Sequence, residues 1–218
     1  MLNRLIISIS FISGLLFSQT NVWYVATSGS NTNNGSESSP FQTIQFAING
    51  ASSGDTILVQ PGTYSENLDI QRKLSVTIGS LYLTTGDTSH IRSTIINGGG
   101  NGPTIYMKTW DNYQEGYGLA SLYLKGVTLT GGAADEDIYV PCSPCMAGGG
   151  IYAYTIDTLV VDHVVLKENT TTGSNSASGI SIRGHGQKGS YFKLTHSTVA
   201  NNTADGYNGT ISIRNTKT

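Results

Sequence analysis

Two arginines recur at equal places in a repeated pentapeptide, Gly179-Ile180-Ser181-Ile182-Arg183 and Thr210-Ile211-Ser212-Ile213-Arg214. If the repeats stack, the two guanidinium groups repel each other, so an anion beside them is welcome. The run from Arg183 to Lys188 adds a basic loop. Carboxylates of an acidic polymer suit such groups, because guanidinium binds carboxylate through two parallel hydrogen bonds; the competing reading is a set of solvated side chains. Trp110, Tyr113 and Tyr117 are clustered in one insertion. Their rings suit the C–H faces of sugars, and equally suit folding back as an apolar flap. Asp135, Glu136 and Asp137 offer oxygen ligands for Ca²⁺ on a loop. Three consecutive acids do not all point one way, so a solvated acidic loop stands beside that reading. Cys142 and Cys145 form a C-x-x-C pair. In an exported protein this reads first as a local disulfide. Free thiols, or half of a metal site lacking its two other ligands, are the alternatives.

The elements holding these residues must be built from few charges. Of 218 residues, only 12% are charged, and the formal net charge is −2. That excludes a coiled coil, a charged disordered tail and a basic nucleic-acid binder. With 27 glycines and only 5 prolines, the composition suits short strands and frequent tight turns rather than a proline-rich linker. The start of the chain is of another kind. Arg4 precedes an apolar run from Leu5 to Phe17, followed by Ser18 and Gln19. This is the layout of a secretory signal peptide over residues 1–19, and the run is too short to cross a ~30 Å hydrocarbon core as a helix. The expectation is an exported protein, secreted or at the cell surface, with no membrane span once the signal is removed and with residues 20–218 forming the folded domain.

The body of the chain repeats. Segments starting at Leu122, Leu159 and Phe192 align at offsets of 37 and 33 residues. They superpose Leu124 on Val161 and Leu194, Leu129 on Leu166 and Val199, and His163 on His196, and they end at Gly132, Asn169 or Asn202. A second ladder superposes Ile105, Ile151, Ile180 and Ile211. Repeats of this length, with short β runs and Gly or Asn corners, imply a parallel β-helix whose coils stack ~4.8 Å apart and bury like over like. A corner Asn can hydrogen-bond its counterpart one coil away and tolerates left-handed geometry. Upstream, Trp23–Ala26 and Thr56–Gln60 read as strands, Pro61–Tyr64 and Thr94–Gly98 as turns, and Phe41, Ile44, Ala47 and Ile48 as one face of a short helix capped near Thr43.

The run WYVATSGSNTNNGSESSPFQTIQFAINGASSGDTILVQPGTYSENL carries a resemblance. Its anchors are Tyr24-Val25, Asn34-Gly35, Pro40-Phe41, Thr43-Ile44-Gln45, Gly54-Asp55-Thr56-Ile57 and Pro61-Gly62-Thr63-Tyr64. It resembles the opening module of secreted, pectate-lyase-like right-handed parallel β-helix proteins. The resemblance implies an all-β solenoid with an N-terminal capping helix, and it covers about residues 23–70. Asn31 departs from the pattern, standing where many relatives carry an acid, so no cation is expected there. No capping element follows the last strand, so the expectation is the N-terminal part of a longer solenoid, with further coils or domains beyond Thr218.

Two functional classes follow. One is a non-catalytic module that binds a polysaccharide or cell-surface glycan, with Trp110, Tyr113, Tyr117, Arg183 and Arg214 as contacts. The other, implied by the resemblance, is a polysaccharide lyase that neutralises a uronate carboxylate, often with Ca²⁺, and removes the α-proton for β-elimination. Lys125, Arg183, Lys188 and Arg214 are its base candidates. A glycoside hydrolase needs two facing carboxylates, and Asp157, Asp162, Glu168 and Asp205 give no pair in register on adjacent coils.

Overall fold

The computed structural model describes residues 20–71, 74–109, 119–135, 148–172, 177–184, 190–205 and 209–214. The chain winds into a parallel β-solenoid of about five turns. The last three coils pass through four faces in the same order, and the two before them lack the short third face. The first face is a six-stranded sheet of β1 (Val22–Val25), β2 (Thr56–Val59), β5 (Ser75–Ser80), β8 (Ser121–Lys125), β12 (Thr158–Asp162) and β16 (Tyr191–Thr195). The second contains β3 (Gly62–Ser65), β6 (Thr94–Asn97), β9 (Thr128–Thr130), β13 (Val165–Lys167) and β17 (Thr198–Ala200). A short third face holds β10 (Ala133–Asp135), β14 (Thr170–Thr172) and β18 (Thr203–Ala204). The fourth holds β4 (Leu68–Gln71), β7 (Ile105–Lys108), β11 (Ile151–Tyr154), β15 (Ile180–Arg183) and β19 (Ile211–Arg214).

The aliphatic ladders set the register. Leu122, Leu159 and Phe192 pair in a column, as do Leu124, Val161 and Leu194, and Leu129, Leu166 and Val199. Ile105, Ile151, Ile180 and Ile211 form the column of the fourth face. Most of these side chains are fully buried in one continuous core. Each such aliphatic contributes about 1.5–3 kcal/mol by leaving water. A slip of one residue would turn every column inside out, so the pattern fixes the pairing. The corner after the second face is held by amides. Asn169 donates from Nδ2 to Asn202 Oδ1 (2.9 Å), accepts from Gly132 N (2.9 Å), and is itself completely buried.

Two expectations need correction. The segment at Pro61–Tyr64 is not a turn: Gly62–Ser65 is β3, paired with β6, because Tyr64 is an inward core residue. Thr94–Asn97 is likewise a strand, with Ile96 facing the core. Each run from 122, 159 or 192 forms two strands on adjacent sheets, bent at Gly126, His163 or His196.

One end of the core is covered by α1 (Ile44–Gly50), which packs on β1, β2 and β4 through buried Ile44, Ala47 and Ile48. Its first-turn N–H groups have no intrahelical acceptors. Thr43 Oγ1 accepts from Phe46 N, while both oxygens of Glu66, a residue 21 to 22 positions downstream, accept from Ile44 N and Gln45 N at 2.9 Å. Asn31 accepts from Gln42 N and Thr43 N, a capping role an amide fills without a cation. Asp55 closes the entry to β2. Burial pushes its carboxyl up, but hydrogen bonds from Asn21 N, Ser52 N and Trp23 Nε1 outweigh it and hold it below the usual value of 3.8.

Candidate functional site

The fourth face brings cations and aromatic rings together. Strands alternate their side chains, so with Ile105, Met107, Ile151, Ala153, Ile180 and Ile182 in the core, the residues between them point away from it, although Lys108, Tyr152, Tyr154 and Ser181 are themselves buried. The register then makes two outer columns: Tyr106, Tyr152, Ser181 and Ser212, and Lys108, Tyr154, Arg183 and Arg214. Tyr106 and Tyr152 stack with centroids 5.5 Å apart. The Lys108 ammonium lies 5.6 Å from the Tyr154 ring centre and the Arg183 guanidinium lies 5.8 Å from the same centre. A ring face is electron-rich, so one tyrosine holds two cations in a column where they would otherwise repel. Lys108 and Tyr154 are buried, Arg183 is half-buried and Arg214 is exposed. The column is thus a graded cationic strip, closed at Lys108 and open at Arg214.

A different cluster occupies the corner between the first and second faces. Here three successive coils place Gly126, His163 and His196 in the left-handed region, at φ 69°, 54° and 48°. The insertion after β5 folds into two short helices, α2 (Tyr82–Thr85) and α3 (Ser89–Ser93), and brings Tyr82 to the same corner. Tyr82 stacks on His163, and His163 on His196, both at 4.6 Å. Gly126 is what admits Tyr82: a Cβ there would lie 2.5 Å from the Tyr82 Cβ. Asp162 Oδ1 sits 2.9 Å from His163 Nδ1 and 3.0 Å from His196 Nδ1, and accepts from Thr195 Oγ1 at 2.9 Å. An ionised carboxylate only accepts, so both imidazoles carry their proton on Nδ1 in this arrangement. Burial raises the Asp162 carboxyl, but the bonds from His196, Thr195 and His163 prevail and hold it below 3.8.

The predicted site residues divide accordingly. Arg183 and Arg214 are paired in register on the fourth face. Lys125 lies elsewhere, on the first face, paired in register with Asp162. The base candidates Lys125 and Arg183 therefore do not converge, because their strands belong to different sheets. Trp110, Tyr113, Tyr117, Glu136, Asp137, Cys142, Cys145 and Lys188 lie outside the described residues, as does the signal segment. Asp135 ends β10, and only its backbone is described. Sequence reasoning missed Lys108 and Tyr154 as neighbours of Arg183, although counting three residues on from the aligned isoleucines finds them. It also missed Asp162 as the partner of the aligned histidines. Among the described residues no helix is long and apolar enough to cross a membrane.

A family model described as "Protein of unknown function (DUF1565)" matches residues 27–218, nearly the whole chain. The chain belongs to the DUF1565 family. Within that span the DUF1565 chain holds both the cationic strip and the histidine corner. It is also similar to "Uncharacterized protein YwoF" of Bacillus subtilis (strain 168), 40% identical over 48 residues, which is 22% of this chain and 10% of that protein. The DUF1565 chain thus matches about a tenth of that relative's length. No solved structure matches it.

Proposed function

We propose that this chain is an exported binding module whose fourth face holds an anionic, uronate-bearing polysaccharide. One observation carries the reading: Lys108, Tyr154, Arg183 and Arg214 stand in one outer column, in register on four successive strands. Coils repeat ~4.8 Å apart, so Arg183 and Arg214 place two guanidinium groups one coil spacing apart along the solenoid axis, beyond the buried Lys108 and Tyr154. A polymer that repeats its carboxylates along its length is the complementary ligand. Arginine suits it because the guanidinium fork meets a carboxylate through two bonds. Tyr154 adds an aromatic surface beside the cations, and the Trp110, Tyr113 and Tyr117 segment, between β7 and β8, supplies three more rings from the same stretch of chain. Export is supported by the apolar run from Leu5 to Phe17. The net charge of −2 argues that polyanion binding, if found, comes from this strip rather than from the protein's overall field.

A non-catalytic module is favoured over a lyase because the base candidate Lys125 belongs to another sheet than Arg183 and Arg214. The test is titration of the chain with polygalacturonate, alginate and a glycosaminoglycan, against a neutral glucan as control. Binding of at least one uronate polymer, reduced tenfold or more by Arg183→Ala/Arg214→Ala, is expected. Binding to none of the three contradicts the reading. Release of unsaturated uronate, seen by its ultraviolet absorbance, would replace the module with a lyase.

A further inference from the structure

We infer that the corner formed by Asp162, His163 and His196 is a binding site for a divalent transition-metal ion, of which Zn²⁺ is the probe. The three side chains offer ligand atoms that lie within 4.8 Å of one another. They come from two coils: Asp162 ends β12 and His163 follows it, while His196 follows β16, so an ion held here would clip one turn of the solenoid to the next. The donor set is two imidazole nitrogens and one carboxylate oxygen, which suits Zn²⁺, Ni²⁺ or Cu²⁺ and not the all-oxygen preference of Ca²⁺. The site therefore differs in chemistry from an all-oxygen calcium site.

The geometry is close to what coordination needs. Ligands at 2.0–2.2 Å from a tetrahedral zinc stand about 3.3 Å apart. Asp162 Oδ1 is already 2.9 and 3.0 Å from the two Nδ1 atoms, and all three ligand atoms lie within 4.8 Å, so rotation of the exposed His196 ring would bring them onto one ion. On binding, the ion takes the Nδ1 lone pairs, and each neutral imidazole carries its proton on Nε2 instead, by exchange through solvent. Three protein ligands leave the fourth position to water. The rings are fixed in advance: Tyr82 stacks on His163 and His163 on His196, and both histidines are pinned by left-handed backbone at a solenoid corner. Thr195 Oγ1 donates to the same carboxylate oxygen and so orients the acidic ligand, an outer-shell role that raises metal affinity. Left-handed backbone at a non-glycine residue costs of order 1 kcal/mol, and this chain keeps it at two stacked histidines where glycine serves one coil earlier.

The experiment uses the chain with Cys142→Ser and Cys145→Ser, so that thiols do not compete for the ion. ZnCl₂ is titrated calorimetrically near pH 7.5, with CaCl₂ as the control ion, and thermal unfolding is followed in parallel. One Zn²⁺ per chain, a raised Tm, and no comparable effect of Ca²⁺ are expected. His196→Ala changes an exposed ring and should fold normally. It should lower Zn²⁺ affinity at least tenfold, and Asp162→Asn should do the same. Because protons compete for imidazole nitrogen, affinity should fall as pH is lowered. Absence of binding up to 1 mM Zn²⁺, or an affinity unchanged by His196→Ala in a variant whose circular dichroism matches the parent, overturns the assignment.

Discussion

The histidine corner and the cationic strip are built from the same repeat, yet they handle charge in opposite ways. At the corner, one carboxylate gathers two imidazoles and a hydroxyl, and every polar group named there has its partner within 3.0 Å. Local charge is balanced by the protein itself. On the fourth face, Lys108, Arg183 and Arg214 share a column without a carboxylate at any of its positions from β7 to β19. Like charges in register on adjacent strands are destabilising, and Tyr154 offsets this only in part. A solenoid passes any residue type on to the next coil at the same place, so a column of cations is an arrangement the fold tolerates at a cost. Where balance is internal, the contacts hold coils together. Where cations share a column, an external anion can bind beside them.

Breaking the corner should have the largest effect. Gly126→Val puts a side chain against Tyr82 and forces a β-branched residue to φ 69°. A loss of about 3–4 kcal/mol is expected in denaturant unfolding, from overpacking and backbone strain together. If Gly126→Val is neutral, Tyr82 does not occupy that space in solution.

Asp162→Asn should come next, lowering stability by about 1–2 kcal/mol at pH 7 through loss of charge-assisted hydrogen bonds. Its carboxyl is held below 3.8 in the folded chain, so the stabilisation is present above that value. It is lost as pH falls through the lower folded value. The gap between parent and variant should therefore close below about pH 4 in unfolding curves measured across pH. A gap that persists at pH 2 would mean that the carboxylate is not the source.

On the strip the order of effects reverses. Arg214→Ala should leave stability within about 0.5 kcal/mol, as is usual for an exposed side chain, while weakening uronate binding. Ser181→Ala is the smallest change. Ser181 Oγ is buried in the outer column of the fourth face and has no hydrogen-bond partner among the described residues. Replacing it should be neutral or stabilising, by up to about 1 kcal/mol. A clear loss of stability would show that this hydroxyl is satisfied in solution and that the two regions differ less than stated.

The columns were legible because inward aliphatics must stack for a solenoid to bury anything. Leu122, Leu124, Leu129 and Ile105 could be aligned with their counterparts from type alone. The bends were not legible. Val127, Val164 and Ser197 differ in polarity, and left-handed geometry at His163 and His196 has no composition signal, since histidine there looks like any corner residue. The helices at Tyr82–Thr85 and Ser89–Ser93 bury no residue, so they have no apolar period to read, and the position of Tyr82 could not be foreseen. The paired arginines were visible in the repeat. Lys108 was readable only by carrying the isoleucine register three residues on, because the residues at that place, Lys108, Tyr154, Arg183 and Arg214, differ in type.

The most direct test is a calorimetric titration of polygalacturonate into the chain at two salt concentrations, with the Arg183→Ala/Arg214→Ala variant alongside. The account predicts saturable binding that weakens as salt rises and drops tenfold or more in the variant, with its unfolding curve unchanged. Binding that is equally strong in the variant, or absent in the parent at low salt, would contradict it.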